Sequence, residues 1–319
     1  MTSYIIRRVL WGVLVLFLVS VIVFFSVRLL PGDPVLMFVA QQSSGSGMTE
    51  EHLEKLRIEH GLDKPVVVQF GNWIKGIVTG DLGKSIRYRT DVASLLTDFL
   101  PVTLILGLIS VVISTVLGVF LGLMAAIRRS TWVDTVVTII SYIGLVIPVF
   151  MLGFILIYVF GLKLGWLPIA GYKLPWVDFG ASVKYSVMPV ACLAVTPLAV
   201  TARQMRSSVL EVNNMDYVRT AWSKGLRERL VVTRHILKNS LVPVITLLGI
   251  SIGIIFGGSV IVESMFAIPG MGRLLVQSVF NLDYVVIQGG TLIIAAMIIL
   301  VNLIVDISYG WFDPRIRYE

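Results

Sequence analysis

The stretch Val102–Ile127, VTLILGLISVVISTVLGVFLGLMAAI, runs for 26 residues without a charged side chain. A helix needs about 20 apolar residues to cross a bilayer, because lipid offers no partner to bare backbone groups. This stretch therefore predicts a membrane-spanning helix. Five other uncharged stretches approach or exceed that length, and together they predict an all-α polytopic membrane protein with six transmembrane helices: Val9–Val27, Thr135–Leu162, Tyr185–Ala202, Leu241–Val262 and Tyr284–Val305.

The composition is typical of a chain that lies mostly in lipid. Of the 319 residues, 56% are hydrophobic and 14% are charged, and the mean hydropathy is +0.90. Soluble domains carry about 25% charged residues, so we exclude a chain built of soluble domains. The single cysteine, Cys192, excludes a disulfide framework and a cysteine zinc site, and the three histidines lie too far apart to indicate metal ligands.

Lysine and arginine predict the orientation of the spans, because they collect in short cytoplasmic loops. With the N-terminus inside, the cytoplasmic segments hold fourteen of these residues, eight of them in 203–240, whereas the short outside loops hold five. Six spans then return both termini to the cytoplasm. The same bias accounts for the net charge of +7, so we expect membrane lipid and no nucleic acid as a partner.

Three segments follow from this topology. Residues 1–30 form the N-terminus and first span, 31–100 form a small extracytoplasmic domain, and 101–319 form a core with the other five spans. In the extracytoplasmic domain, Gly80–Ser85 (GDLGKS) lacks the spacing of a phosphate-binding loop. We interpret it as a turn in a docking surface.

The cytoplasmic loop 203–240 predicts two helices joined by a glycine. Val209–Lys224 contains good helix formers without proline or glycine, Gly225 supplies a C-terminal stop, and Arg227–Lys238 can form the second helix. The pattern alone also allows a basic amphipathic hairpin on anionic lipid. Helical spacing gives the first helix a side of small and polar residues that another protein can approach closely: Tyr217, Thr220, Ala221 and Lys224.

Few acids lie near the span interiors. We expect Asp134 and Asp306, near the ends of the third and sixth spans, to anchor helix ends or to pair with nearby arginines. The lack of an acid at mid-membrane argues against coupling to protons or sodium.

Eight short motifs follow one another along the chain. The most specific is Asp216–Leu226 (DYVRTAWSKGL), and the others are LPGDP (Leu30–Pro34), GLDKP (Gly61–Pro65), GDLG (Gly80–Gly83), RHILKN (Arg234–Asn239), ESMFAIPGMG (Glu263–Gly272), DYVVIQG (Asp283–Gly289) and DPRIR (Asp313–Arg317). In this order, and in a chain of six spans, they resemble the membrane permease subunit of bacterial peptide-type ABC importers. That group carries dipeptides, oligopeptides, nickel and glutathione. Where the general importer signature reads Glu-Ala-Ala, this chain has Arg219, Thr220 and Ala221, a departure usual for the peptide group.

The resemblance implies a type I importer permease whose cytoplasmic helix couples it to a separate ATPase subunit. Ala221 would allow close packing in a groove of the ATPase, Gly225 would set the angle between the two helices, and Arg219 and Lys224 would meet acidic groups at the rim. The residues that the resemblance assigns to this coupling are Asp216, Tyr217, Arg219, Thr220, Ala221, Lys224 and Gly225.

The resemblance also implies partners on both sides of the membrane. These are a second homologous permease chain, two ATPase subunits and an extracytoplasmic substrate-binding protein. ATP and Mg would bind the ATPases, because this chain has no Walker motif, and we expect it to hold no cofactor and to catalyse no reaction. The small-residue spacing of Gly249, Gly253 and Gly257 predicts the contact with the second permease near the gate. Polar docking contacts with the binding protein are predicted at Asp81, Lys84, Arg87 and Glu263.

The expected function is therefore alternating access for di- and oligopeptides in a bacterial cytoplasmic (inner) membrane. Nickel chelates and glutathione remain alternative cargoes, because the group shares these motifs. An ion-coupled secondary carrier would need a mid-membrane ionisable residue or an inverted repeat, and the sequence offers neither. A membrane receptor that senses through 31–100 is the other alternative.

Overall fold

The secondary structure is helical throughout the part of the chain described by the computed structural model, which covers residues 2–33, 35–36, 50–59 and 61–312. Within these residues the only bridge between extended segments joins Lys84 to Asp91. The motif DPRIR and the C-terminus lie outside them. The helices are α1 (Thr2–Arg28), α2 (Glu50–Glu59), α3 (Val66–Thr79), α4 (Val92–Ile127), α5 (Trp132–Val146), α6 (Val149–Lys163), α7 (Phe179–Asn213), α8 (Asp216–Ser223), α9 (Glu228–Met265), α10 (Met271–Phe280) and α11 (Tyr284–Phe312).

The predicted all-α membrane fold is confirmed. In the part of the chain that the structure describes, five helices are long and apolar enough to cross a bilayer, namely α1, α4, α7, α9 and α11. The pair α5 and α6 passes the same test only jointly, with the geometry of either a broken span or a re-entrant loop. Most of these helices extend beyond the predicted limits. For example, α7 continues through Pro189 and Pro197 for 35 residues, and the Asp178 side chain caps it by accepting a hydrogen bond from the Ala181 N–H at 2.9 Å.

The third span differs from the single helix predicted over Thr135–Leu162. It bends by 106° between α5 and α6, at Ile147 and Pro148. Proline disfavours helical backbone at the residue before it, and Ile147 is accordingly extended, with φ −67° and ψ 122°. The 15 residues of α5 reach only about 22 Å, less than a hydrocarbon core of about 30 Å. The segment therefore forms two short helices, of which α5 alone is too short to cross the hydrocarbon core.

The chain divides into two compact units. One comprises mainly 103–268, and the other combines 2–102 with 269–299. In the first unit α7 lies at the centre and packs against both α5 and α9. Gly122 of α4 also touches α7 closely, because a Cβ at this position would overlap the Ala202 carbonyl oxygen and lie 2.7 Å from the Met205 Cβ.

A bidentate ion pair joins α5 to α7 within the first unit. Arg206 donates from Nε to Asp134 Oδ1 at 2.6 Å and from Nη2 to Oδ2 at 2.9 Å, and the carboxylate also accepts the Ser130 N–H at 3.0 Å. Asp134 is buried, so the arginine compensates a charge that would otherwise be costly. The expectation that Asp134 pairs with a nearby arginine is confirmed, while the side chain of Asp306 lies outside the described residues.

Candidate functional site

The signature Asp216–Leu226 folds into a separate short helix between α7 and α9. The predicted continuous helix Val209–Lys224 is wrong, because α7 ends at Asn213 and Met215 is extended, with φ −71° and ψ 145°. Asparagine competes with the helix by bonding to nearby backbone, and the Asn214 side chain donates to the Leu210 carbonyl at 3.0 Å. The break makes α8 an independent eight-residue element.

Gly225 ends α8 as the sequence predicts. Its φ of +70° lies in the left-handed region, its N–H donates to the Trp222 carbonyl at 2.9 Å, and the Leu226 N–H donates to the Ala221 carbonyl at 3.4 Å. These two bonds are the Schellman pattern that satisfies the last carbonyls of a helix. The turn directs the chain into α9, so the backbone conformation of Gly225 sets the angle between α8 and α9.

One side of α8 packs against its own chain. Val218 and Ala221 are buried, and they join a cluster that includes Met205, Val209 and Val231. Ala221 is 5% exposed, so the prediction that its small side chain receives a partner is wrong. The alanine is small because α8 lies close to the body of the protein at this point.

The positions of α8 other than Val218 and Ala221 are exposed, and they are polar or aromatic. Trp222 is 42% exposed, a large apolar side chain at a surface, which the sequence analysis did not single out although the signature contains it. Asp216 and Arg219 form an exposed pair at 3.7 Å. The exposed residues of this helix and of its C-cap together form the surface of α8: Asp216, Tyr217, Arg219, Thr220, Trp222, Ser223 and Lys224.

Tyr217 holds α8 to the π-helical part of α9, Val231–Leu237. Its hydroxyl accepts a hydrogen bond from Asn239 Nδ2 at 2.8 Å and donates to the His235 carbonyl at 3.5 Å. Asn239 also donates to that carbonyl, at 2.9 Å. The buried cluster and these bonds therefore both fix α8 against α7 and α9.

The glycines of α9 differ in their surroundings. A Cβ at Gly249 would lie 3.3 Å from Asn302 Oδ1, so this glycine packs within the chain. A Cβ at Gly253 or Gly257 would meet nothing within 4 Å. Space for another helix to approach is therefore present at Gly253 and Gly257 and absent at Gly249.

Asp81, Lys84 and Arg87, the predicted docking residues of the second unit, are exposed. They lie on a turn anchored by Ser85, whose hydroxyl donates to Asp283 Oδ2 at 2.5 Å, and the Arg87 N–H reaches the same oxygen at 3.4 Å. Burial raises the pKa of the Asp283 carboxyl, against the lowering effect of these hydrogen bonds. Ser85 is the last residue of GDLGKS and Asp283 the first of DYVVIQG, and no sequence pattern links the two segments.

Glu263 does not lie on a surface. Its side chain is completely buried, and Oε1 accepts a hydrogen bond from the Thr103 hydroxyl at 2.7 Å. The prediction that Glu263 contacts a binding protein is therefore corrected, because a buried carboxylate is unavailable for docking. Its backbone carbonyl accepts the Ile268 N–H at 2.8 Å, so the residue shapes the end of α9. The described residues contain no cluster of His, Cys, Asp and Glu that could hold a metal ion.

Two family models together match nearly the whole chain. The model described as "Binding-protein-dependent transport system inner membrane component" matches residues 118–318, and a companion model of the N-terminal part of such components matches residues 1–107. The motif-based resemblance is confirmed by these matches.

Similar proteins of full length are found in several bacteria. A putative peptide transport system permease protein of Brucella abortus (strain 2308) is 38% identical over 320 residues, and a glutathione transport system permease protein of Escherichia coli O6:H1 is 40% identical over 320 residues. In both cases 100% of each chain is covered. The crystal structure of an amino acid ABC transporter with histidines matches with a TM-score of 0.48 and 19% identity, covering 70% of this chain and 94% of that one.

Proposed function

Because the chain belongs to the family of binding-protein-dependent transport system inner membrane components, we propose that it forms part of the translocation pathway of an ATP-driven importer of di- and oligopeptides. The proposal includes alternating access, in which the pathway opens in turn to the two sides of the membrane. ATP binding and hydrolysis by partner ATPases drive the change. The chain itself contributes no catalytic group and no cofactor site.

The surface of α8 is the observation that carries this proposal. A short helix with an exposed tryptophan and exposed charges, held rigidly by Val218 and Ala221 to the helices of the first unit, suits the transfer of motion from a partner. Exposed aromatic residues and arginine are typical of interface hot spots. A groove on an ATPase subunit would take the polar and aromatic side, with Trp222 as its central apolar anchor and Arg219 and Lys224 at the rim.

The assembly that we propose has two permeases, this chain and a homologous one. The open glycines of α9, Gly253 and Gly257, offer close approach to the second permease. Two ATPases would lie on the cytoplasmic side, where the excess of lysine and arginine puts α8 and both termini. An extracytoplasmic binding protein would deliver cargo to the opposite side, where the exposed turn with Asp81, Lys84 and Arg87 would meet it.

Peptides are the proposed cargo because relatives of full length are named for peptide transport, and the relative from Escherichia coli is named for glutathione, itself a small peptide. Nickel chelates are the alternative cargo.

The test is uptake by the whole complex, purified with its partners and placed in vesicles with ATP on the ATPase side. We expect a labelled dipeptide to accumulate only with ATP and binding protein present, and to the same extent after a protonophore and a sodium ionophore are added. Uptake that needs an ion gradient and no ATP would contradict the proposal. Competition by excess glutathione or a nickel chelate measures which cargo is preferred.

A further inference from the structure

A cavity of about 240 Å³ in the second unit is lined by an arginine, Arg28, and by two residues with unpaired hydrogen-bond donors, Trp73 and Gln288. Among the described residues, Trp73 Nε1 and Gln288 Nε2 are buried and have no hydrogen-bond partner. Gln288 is 3% exposed. Buried donors without acceptors are costly and rare, so two of them around one cavity indicate that a ligand supplies the acceptors.

Arg28 makes the site cationic. Its guanidinium lies 3.4 Å over the Phe24 ring and donates to Gln69 Oε1 at 2.6 Å and to the Phe24 carbonyl at 3.1 Å. These contacts fix its position but do not neutralise its charge, and it forms no ion pair within the described part of the chain. Asp33 is paired with Arg57 at 2.7 Å. Asp81 also lines the cavity and keeps its negative charge, but it is exposed, so water and salt screen that charge, and its Oδ1 accepts the Gly83 N–H at 2.9 Å.

The place of the site in the fold indicates the source of the anion. Arg28 is the last residue of α1, a membrane-spanning helix, so its guanidinium lies where hydrocarbon gives way to headgroups. The neighbouring helix α3 begins with three valines and has no buried residue, and Val67 is 75% exposed. A second cavity of about 290 Å³ shares Arg28 and Gln69 with the first and reaches Val66. Donors beside exposed valines suit a ligand that is anionic at one end and apolar at the other.

We propose that these two cavities bind the headgroup phosphate of a phospholipid, with its acyl chains against the valines of α3. Arg28 supplies the charge, and the Trp73 and Gln288 N–H groups donate to the phosphate oxygens. Arginine and tryptophan are suited to this role at a membrane interface. The lipid would pin α3 to the end of α1, in the outer leaflet under the orientation proposed above. The site requires only that the chain lies in a membrane and does not depend on its cargo.

The test is native mass spectrometry of the purified full-length chain titrated with dioleoyl phosphatidylglycerol. We expect Arg28→Gln to weaken binding of the tightest lipid about tenfold, as loss of a charge-assisted hydrogen bond does. Trp73→Phe keeps the aromatic ring but removes the N–H, and it should weaken lipid binding severalfold. Gln288→Glu replaces the amide donor with a carboxylate of the same size and should also weaken binding. Lys184→Gln, at an exposed cation in α7 outside the cavity, is the matched control and should leave binding unchanged.

Equal lipid binding by the wild type and the three cavity variants would overturn the proposal, as would an equal loss in Lys184→Gln, which would indicate general attraction of anionic lipid. Displacement of the lipid by millimolar inorganic phosphate would show that the cavity binds a free anion and would overturn the lipid assignment. If lipid stays bound in excess phosphate and is lost in the variants, the headgroup site is established.

Discussion

Gly225 is the residue on which the placement of α8 depends. Its φ of +70° is available to glycine at little cost, and its N–H closes the helix on the Trp222 carbonyl. A Cβ at Gly225 would meet nothing within 4 Å, so the cost of a substitution arises from the backbone alone. Substitutions at Gly225 therefore test the effect of the backbone turn without changing side-chain packing.

The transport activity of Gly225 variants should depend on how well the new residue tolerates a positive φ. Gly225→Asn should transport normally, because asparagine adopts the left-handed conformation. Gly225→Ala should lose about 1 kcal/mol of stability and transport partly. Gly225→Pro cannot reach this φ and has no N–H, so it should assemble in the membrane but lose uptake and its coupled ATPase stimulation. The measurements are the melting temperature and uptake of the complex, and normal uptake by Gly225→Pro would contradict the role of the turn.

Asp283 predicts a pH dependence of stability. Burial raises the pKa of its carboxyl above the ordinary value of 3.8, so the folded protein binds the proton more tightly than the unfolded chain. Its stabilising contribution is fully present below pH 3.8 and is lost as pH rises through the folded pKa. Asp283→Asn, which imitates the neutral form, should make the melting temperature less dependent on pH over this range. Equal pH profiles of wild type and variant would show that Asp283 does not titrate there.

The hydrophobic runs of the sequence predict which segments form membrane helices, but they do not predict where a helix breaks. Six apolar stretches gave the helical membrane fold, because bilayer thickness sets a length that a sequence displays directly. The break in the third span does not show in the apolar run, although Pro148 lies in its middle, because a proline interrupts a helix without reducing the hydrophobicity of the stretch. The break at Asn214 was missed because asparagine is only a weak helix breaker.

The face of α8 could not be read from spacing. Periodicity groups Tyr217 with Ala221, but it does not tell which face of a short helix meets its own chain. Ala221 packs inward beside Val218, whereas the next residue, Trp222, is 42% exposed. Burial of Glu263 was equally hidden, because its acceptor contact with Thr103 joins residues 160 positions apart.

The glycines of α4 and α9 give a matched test of helix packing. Gly122→Ala should destabilise the chain by about 1–3 kcal/mol, because the new Cβ would overlap the backbone of α7. Gly257→Leu should leave the chain folded, because the space around this glycine is open, but should prevent copurification of the second permease. Copurification at the wild-type level would contradict the interface predicted at Gly257.

At the scale of the whole molecule, the bent pair of α5 and α6 decides the topology. If the pair crosses the membrane, Arg128 and Lys173 lie on opposite sides, and if it re-enters, they lie on the same side. Cys192 is the only cysteine, so single-cysteine variants need only Cys192→Ser as background. We expect an impermeant maleimide to label Lys173→Cys in intact cells and Arg128→Cys only after permeabilisation. Labelling of both in intact cells, or of neither, would contradict six spans.

Site-directed crosslinking at α8 tests whether its exposed surface meets the ATPase. In the Cys192→Ser background, Thr220→Cys and Ala221→Cys carry the same photoreactive maleimide one residue apart, the first exposed and the second buried. We expect a crosslink from Thr220→Cys to a P-loop ATPase in native membranes, and none from Ala221→Cys. A crosslink from Ala221→Cys alone, or from neither position in an assembled and active complex, would contradict this contact.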